Sequence, residues 1–187
     1  MAPNDESPKI IIVLQLVKGM TGEPQNTIKP NGIITTIFKA DNRTSENMTE
    51  VSVLVDSRGG NTRKVADAIA GEVGITAMDV AATHQNDAQL LFLGSGTYGG
   101  KPGEAMLKFI GSGNLTGRRV ALFGTSASLA GGQKLISVMA DMVQQKGATV
   151  MGSYHCKGKF LFVNRGHPGT EDLDNAKKFA REMLNKS

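Results

Sequence analysis

Residues 56–62, Asp-Ser-Arg-Gly-Gly-Asn-Thr, place two hydroxyls, an amide and two glycines between the apolar run Val51-Ser52-Val53-Leu54-Val55 and the start of helical spacing. A strand that feeds a helix through such a loop aims backbone N–H groups and the positive helix end at one point. That point suits an anion. Glycines admit close approach of the backbone, and the side chains of Ser57, Asn61 and Thr62 can complete an oxygen shell around a phosphate. A plain strand-to-helix turn with Asn61 or Thr62 as its N-cap would use the same residues. The loop lacks the G-x-x-x-x-G-K-[ST] spacing and has no lysine at the helix start, which argues against a nucleoside triphosphatase.

Two further small-residue loops follow apolar runs. Gly94-Ser95-Gly96-Thr97-Tyr98-Gly99 spells G-x-G-x-x-G, the dinucleotide fingerprint, but Gly100, Lys101, Pro102 and Gly103 intervene before helical spacing resumes. The acid expected about 20 residues on is replaced by Arg118 and Arg119, so the match is a decoy. What remains is a glycine loop displaying one aromatic ring, Tyr98, either a ligand contact or an ordinary rim residue. The third loop is Gly124-Thr125-Ser126-Ala127-Ser128-Leu129-Ala130-Gly131-Gly132-Gln133. Open α/β sheets bind ligands at the carboxyl ends of their strands, and the coincidence of three such loops is more specific than any one of them.

The elements that position these loops alternate from residue 51 onward, as expected of βαβ units around a parallel sheet. Strands are predicted over 51–55, 75–80, 89–93, 119–123 and 148–155, where apolar runs such as QLLFL and RVALF suit burial on both faces. The first helix carries Val65, Ile69 and Val73 in one stripe and ends at Gly74. Helices are also predicted over about 103–111 and 132–146, and a last one behind Thr170 as N-cap. Only about eight residues separate the second and third strands, so that crossover must be extended or a single turn.

The chain's 187 residues fit one main domain with an appendage. Residues 1–47 are rich in Pro, Asn, Thr and Gly with two isolated apolar runs, 10–17 and 33–38, and are read as a flexible or peripheral extension, a hairpin on a sheet edge, or a misassigned start before Met48. Residues 48–187 form the main domain. The apolar run Ile10–Val17 is far short of the ~20 residues of a membrane helix. The first residues lack the basic start of a secretory signal, and the single cysteine, Cys156, cannot form an internal disulfide. The expectation is a cytoplasmic protein with no membrane partner. The net charge of +4 sits wholly in residues 48–187, as sixteen bases against twelve acids, but the bases are scattered without interleaved aromatics, which argues against nucleic acid.

Over residues 50–185 the chain resembles the flavodoxin family. Its first loop is similar to the family's T/S-x-T-G-x-T phosphate loop, matching at Ser57, Gly60, Asn61 and Thr62, with Gly59 where the middle hydroxyl residue usually stands. Residues 92–106 and 124–132 resemble the family's second and third flavin loops, and 156–160 and 167–180 resemble the tails of short bacterial and archaeal relatives. The resemblance implies a flavodoxin-like doubly wound α/β fold, three layers (αβα) with five parallel strands in the order 2-1-3-4-5. It implies FMN as cofactor. Ser57, Arg58, Gly59, Gly60, Asn61 and Thr62 would hold the phosphate; Ser95, Gly96, Thr97, Tyr98, Gly99 and Gly100 would contact the ring, with Tyr98 stacking on it and Gly99 at the flexible peptide beside flavin N5. Thr125, Ser126, Ala127 and Ser128 would line the pyrimidine edge, with Gly131 and Gly132 keeping the approach open.

The implied function is an FMN-binding carrier passing one or two electrons between redox-partner proteins, which for this net-basic domain would present an acidic face. The alternatives are an FMN-dependent reductase of a small acceptor such as a quinone or a pyrrole pigment, with His84, His155 or His167 as proton donor, and a flavin-free interaction domain. Solvation or capping is the plainer role for each histidine.

Overall fold

The computed structural model describes residues 25–28, 34–37, 50–83 and 86–187. The chain divides into two compact units, Met1–Met48 and Thr49–Ser187. In the first, β1 (Gln25–Ile28) pairs antiparallel with β2 (Ile34–Ile37), Gln25 opposite Ile37. The apolar run 10–17, and with it most of the predicted extension, lies outside the described residues.

The second unit runs β3 (Val51–Asp56), α1 (Asn61–Val73), β4 (Met78–Asp79), β5 (Leu90–Gly96), α2 (Glu104–Ser112), β6 (Arg119–Ser126), α3 (Leu129–Gln145), β7 (Thr149–Lys157) and α4 (Thr170–Asn185). All five strands are parallel in the order β4-β3-β5-β6-β7, the expected 2-1-3-4-5. Alternation along each strand divides the core in two. Val53, Val55, Phe92 and Phe123 pack with Val65, Ile69, Phe179 and Met183 of α1 and α4. Leu54, Leu91, Leu93 and Leu122 point the other way, onto Met106, Ile110, Leu135 and Met139 of α2 and α3. Two apolar faces, each roofed by two helices, make the three layers.

The departures from the sequence reading have local causes. The second strand shrinks from 75–80 to Met78–Asp79: at one end Ile75 still donates its N–H to the Ala70 carbonyl of α1 at 2.9 Å, and at the other Asp79 turns the chain, its carboxylate accepting the Ala81 N–H at 2.8 Å and opening a 3-10 turn over Val80–Ala82. That turn is the single-turn crossover anticipated. Strands β5 and β6 each run three residues past their apolar stretches, since the ladder continues through Gly94↔Phe123, Ser95↔Gly124 and Gly96↔Thr125. Small residues there hid strand from a reading based on apolar runs. Helix α3 starts at Leu129, not 132, because the Ser128 hydroxyl accepts the Gly131 N–H at 3.1 Å. Thr170 is the first residue of α4 and not its cap; Gly169 precedes it and donates its N–H to the Asp172 carboxylate at 2.8 Å. On β7 the register with β6 shifts by one residue between Val120 and Ala121, which leaves Met151 as a bulge.

Two groups on β7 make the fold sensitive to alkali. Burial pushes the Cys156 thiol up to about 11, with the nearby Asp172 carboxylate adding to the effect. The Tyr154 phenol is raised too, by burial first and the neighbouring thiol second, while it donates to the Asp172 carbonyl at 2.6 Å. Because the folded state holds both protons more tightly than the unfolded chain, this contribution is complete below the thiol's ordinary value of 9.0 and is lost as pH climbs toward 11.

Two outcomes are expected. The unfolding free energy, measured by denaturant titration, should fall between pH 9 and 11, with a shallower fall in Cys156→Ala. Gly94→Ala places a methyl 2.0 Å from the Phe123 ring. It should lower stability by ~2 kcal/mol, visible as a reduced melting temperature.

Candidate functional site

The strand order reverses between β3 and β5: the chain leaves β3 toward β4 on one side and returns to β5 on the other. Connections from the carboxyl ends of these strands therefore diverge and leave a crevice, the usual ligand position in an open α/β sheet. The first and second loops flank it, and the third follows β6.

In the first loop Gly60 takes φ +79°, the left-handed turn from which α1 starts without side-chain strain. The Ser57 hydroxyl accepts the Arg63 N–H at 3.1 Å, folding the loop over the helix end. Among the described residues no protein acceptor is bonded to the four successive amides of Gly59, Gly60, Asn61 and Thr62. A Cβ built on Gly59 or Gly60 meets nothing within 4 Å, so the loop is open where its two glycines would carry side chains. Four free N–H groups at the positive end of a thirteen-residue helix fit an anionic group of phosphate size.

The second loop is anchored by Ser95. Fully buried, its hydroxyl accepts the Gly103 N–H at 2.8 Å and donates to the Gly96 carbonyl at 2.9 Å. Tyr98 and Lys101 exchange backbone bonds of 2.8 and 3.2 Å around Gly99 and Gly100, whose φ values of +58° and +80° define a two-residue turn of type I′. Tyr98 points back toward the first loop: its hydroxyl accepts the Arg58 N–H at 2.8 Å, and the Arg58 guanidinium lies 4.4 Å from the ring centroid. Its ring is thus engaged by Arg58 on one face.

The third loop is shorter than the sequence suggested. Thr125 and Ser126 are buried at the end of β6, Ala127 and Ser128 form the exposed turn, and Gly131 and Gly132 lie within α3. The two glycines allow close packing, since a Cβ would fall 2.5 Å from the Ser126 hydroxyl or 2.5 Å from the His155 ring. The Thr125 hydroxyl meets that of Thr62 at 2.8 Å, and the Thr125 carbonyl accepts the Thr97 N–H at 3.1 Å. Thr125 therefore ties all three loops together.

Two contributors escaped the sequence reading. Asp56, at the end of β3, accepts the Met106 N–H at 3.2 Å and so caps α2 from another loop; only the pairing of β3 with β5 could reveal it. A fourth loop, 158–168, abuts the others: Asn61 donates to the Lys159 carbonyl and Asn164 to the Ala127 carbonyl, each at 2.8 Å. The asparagine in N-R-G-H-P was the one available signal, being a residue type suited to φ +56°. This loop carries Phe160, Leu161, Phe162 and Val163, each more than half exposed.

Of the three histidines, His84 lies outside the described residues. His155 packs on Gly132, and His167 Nδ1 sits 2.6 Å from the Asp172 carboxylate that caps α4. A cavity of about 600 Å³ beside Val80, Lys108, Phe109 and Arg118 borders none of the loops, whereas one of about 260 Å³ lies between Gly99–Pro102 and Lys134 and Val138 of α3.

A family model for the flavodoxin domain matches residues 52–162. An uncharacterized protein of Methanocaldococcus jannaschii is 26% identical over 135 residues, 66% of this chain and 90% of that one. Among solved structures, oxidised flavodoxin 1 from Bacillus cereus superposes with a TM-score of 0.61 at 22% identity, covering 73% of this chain and 98% of the other. A flavodoxin from the domain Archaea gives 0.58 at 22% identity, covering 73% and 96%. The rubredoxin oxygen:oxidoreductase of Desulfovibrio gigas gives 0.60 at 18% identity, where 74% of this chain covers 36% of that larger one. With the strand order, the loops around its switch point and the match across residues 52–162 in agreement, this chain belongs to the flavodoxin family, whose domain binds a flavin and transfers electrons.

Proposed function

We propose that this chain is a cytoplasmic FMN-binding electron carrier that passes one or two electrons between redox-partner proteins. The observation that carries the reading is the row of four unclaimed amides over Gly59–Thr62 at the start of α1, beside the switch point of the sheet. Bound FMN would supply the redox chemistry, and the protein its binding, orientation and exposure. Ser57 through Thr62 would hold the phosphate, with Arg58 adding positive charge at the rim. The turn Tyr98-Gly99-Gly100-Lys101 and the exposed Ala127–Ser128 segment would flank the ring. Glycines 99 and 100, already at positive φ, let that turn approach a planar ligand without a Cβ in the way.

The carrier reading is favoured over a reductase because both described histidines are already engaged within the protein, one packed on Gly132 and one paired with Asp172. The partner would dock on the fourth loop. Phe160–Val163 offers an apolar centre beside the loops, and exposed Lys159 and Arg165 give it a basic rim suited to an acidic face.

The wild-type protein is expected to bind FMN tightly and riboflavin far more weakly in a flavin-fluorescence titration; equal affinities would remove the phosphate loop from the argument. Gly60→Val forces a β-branched residue to φ +79° and should abolish FMN binding. In stopped-flow mixing, the reduced protein should pass electrons to a small acidic iron–sulfur protein at a rate that falls with added salt, and show no such dependence with basic cytochrome c. Rapid NADPH oxidation with a quinone and no protein acceptor would favour the reductase.

A further inference from the structure

The first loop is one hydroxyl short of the family pattern, because Gly59 stands where a hydroxyl residue is usual. A hydroxyl nevertheless reaches the loop from elsewhere in the chain. Tyr98 Oη lies 2.8 Å from the Arg58 amide nitrogen and accepts its hydrogen. A phenol that accepts one bond still has its own proton to give, and among the described residues no acceptor takes it. A Cβ placed on Gly96 would fall 2.7 Å from Tyr98 Oη and 3.3 Å from Thr62 Oγ1, so the phenol lies over Gly96 on the side where the first turn of α1 begins.

We infer that Tyr98 is a phosphate ligand: its hydroxyl, carried across from the second loop, replaces the one that Gly59 lacks. This inference rests on the FMN reading and deepens it. Three features hold the phenol in place. The type I′ turn at Gly99–Gly100 fixes the direction from which the side chain leaves the backbone. The Arg58 guanidinium, 4.4 Å from the ring centroid, clamps the face and adds positive charge at the loop's edge. The Arg58 N–H polarises the hydroxyl and makes it a better donor. Tyr98 thereby acts through its oxygen at the phosphate end, a different role from stacking on the flavin ring.

The assignment separates from both stacking and obstruction by comparing FMN with riboflavin. Tyr98→Phe keeps the ring and removes the oxygen. It should weaken FMN binding by about tenfold to a hundredfold, the range for a hydrogen bond to a charged group, while riboflavin affinity changes less than about twofold. Gly59→Ser added to Tyr98→Phe restores a hydroxyl at the family's usual position, where a Cβ meets nothing within 4 Å, and should recover most of the lost FMN affinity. Circular dichroism and melting curves verify that both variants fold. Unchanged FMN affinity in Tyr98→Phe, with the wild type binding FMN, overturns the inference alone. Tighter binding shows the phenol to be an obstruction and also overturns it. Should the wild type bind neither flavin, the FMN reading fails and the inference falls with it.

Discussion

The last three residues of β5 carry nothing larger than a hydroxymethyl, and the upper half of the domain depends on that lack of bulk. Phe123 fills the space above Gly94, closing the core on the α1 and α4 side. The Ser95 hydroxyl pins Gly103 and so sets where α2 begins. Over Gly96 sit the Tyr98 and Thr62 hydroxyls. A larger residue at 94 or 96 would displace a neighbour on a different element, because a close-packed interior has no spare volume to absorb it. One short stretch of small side chains thus serves core packing, helix placement and the geometry of the loops.

Above that stretch, order is maintained by short polar contacts between loops. The Thr62–Thr125 bond is buried and spans from α1 to β6, Asp56 reaches from β3 to α2, and Asn61 and Asn164 fasten the fourth loop to the first and third. In a low-dielectric setting such bonds are strong and their loss leaves unpaired groups, so the loops are held to one another as well as to their strands. Among the described residues, the four successive amides at the start of α1 are left without a protein acceptor.

Much of this was legible in the sequence. Apolar runs located the four longer strands, stripes at helical spacing located the helices, and Gly74 ended α1 at φ +79° as expected. The strand extensions through Gly96 and Ser126 were not legible, because small and hydroxyl residues signal loops when read alone and become strand only when a neighbouring ladder claims their backbones. The early start of α3 has a local signal in Ser128, a residue type suited to an N-cap, but Gly131 and Gly132 just after it read as loop. The roles of Asp56, Asn164 and the Tyr98 hydroxyl depend on contacts 37 to 50 residues apart in the chain, and no local pattern carries them.

The two edges of the sheet are unlike, and that bears on how the domain stays apart from its own copies. Along one border, β4 offers a ladder of two residues, Leu54↔Met78 and Val55↔Asp79, too short to template an incoming strand. The opposite border is β7, nine residues long and so the more exposed to self-association. There the extra residue at Met151 interrupts the repeat and coils the rim, while Lys157 sets a charge at its end. A margin distorted at Met151 and charged at its end is a poor template for a like margin, so the same irregularity that offsets β7 from β6 also guards against runaway sheet growth between molecules.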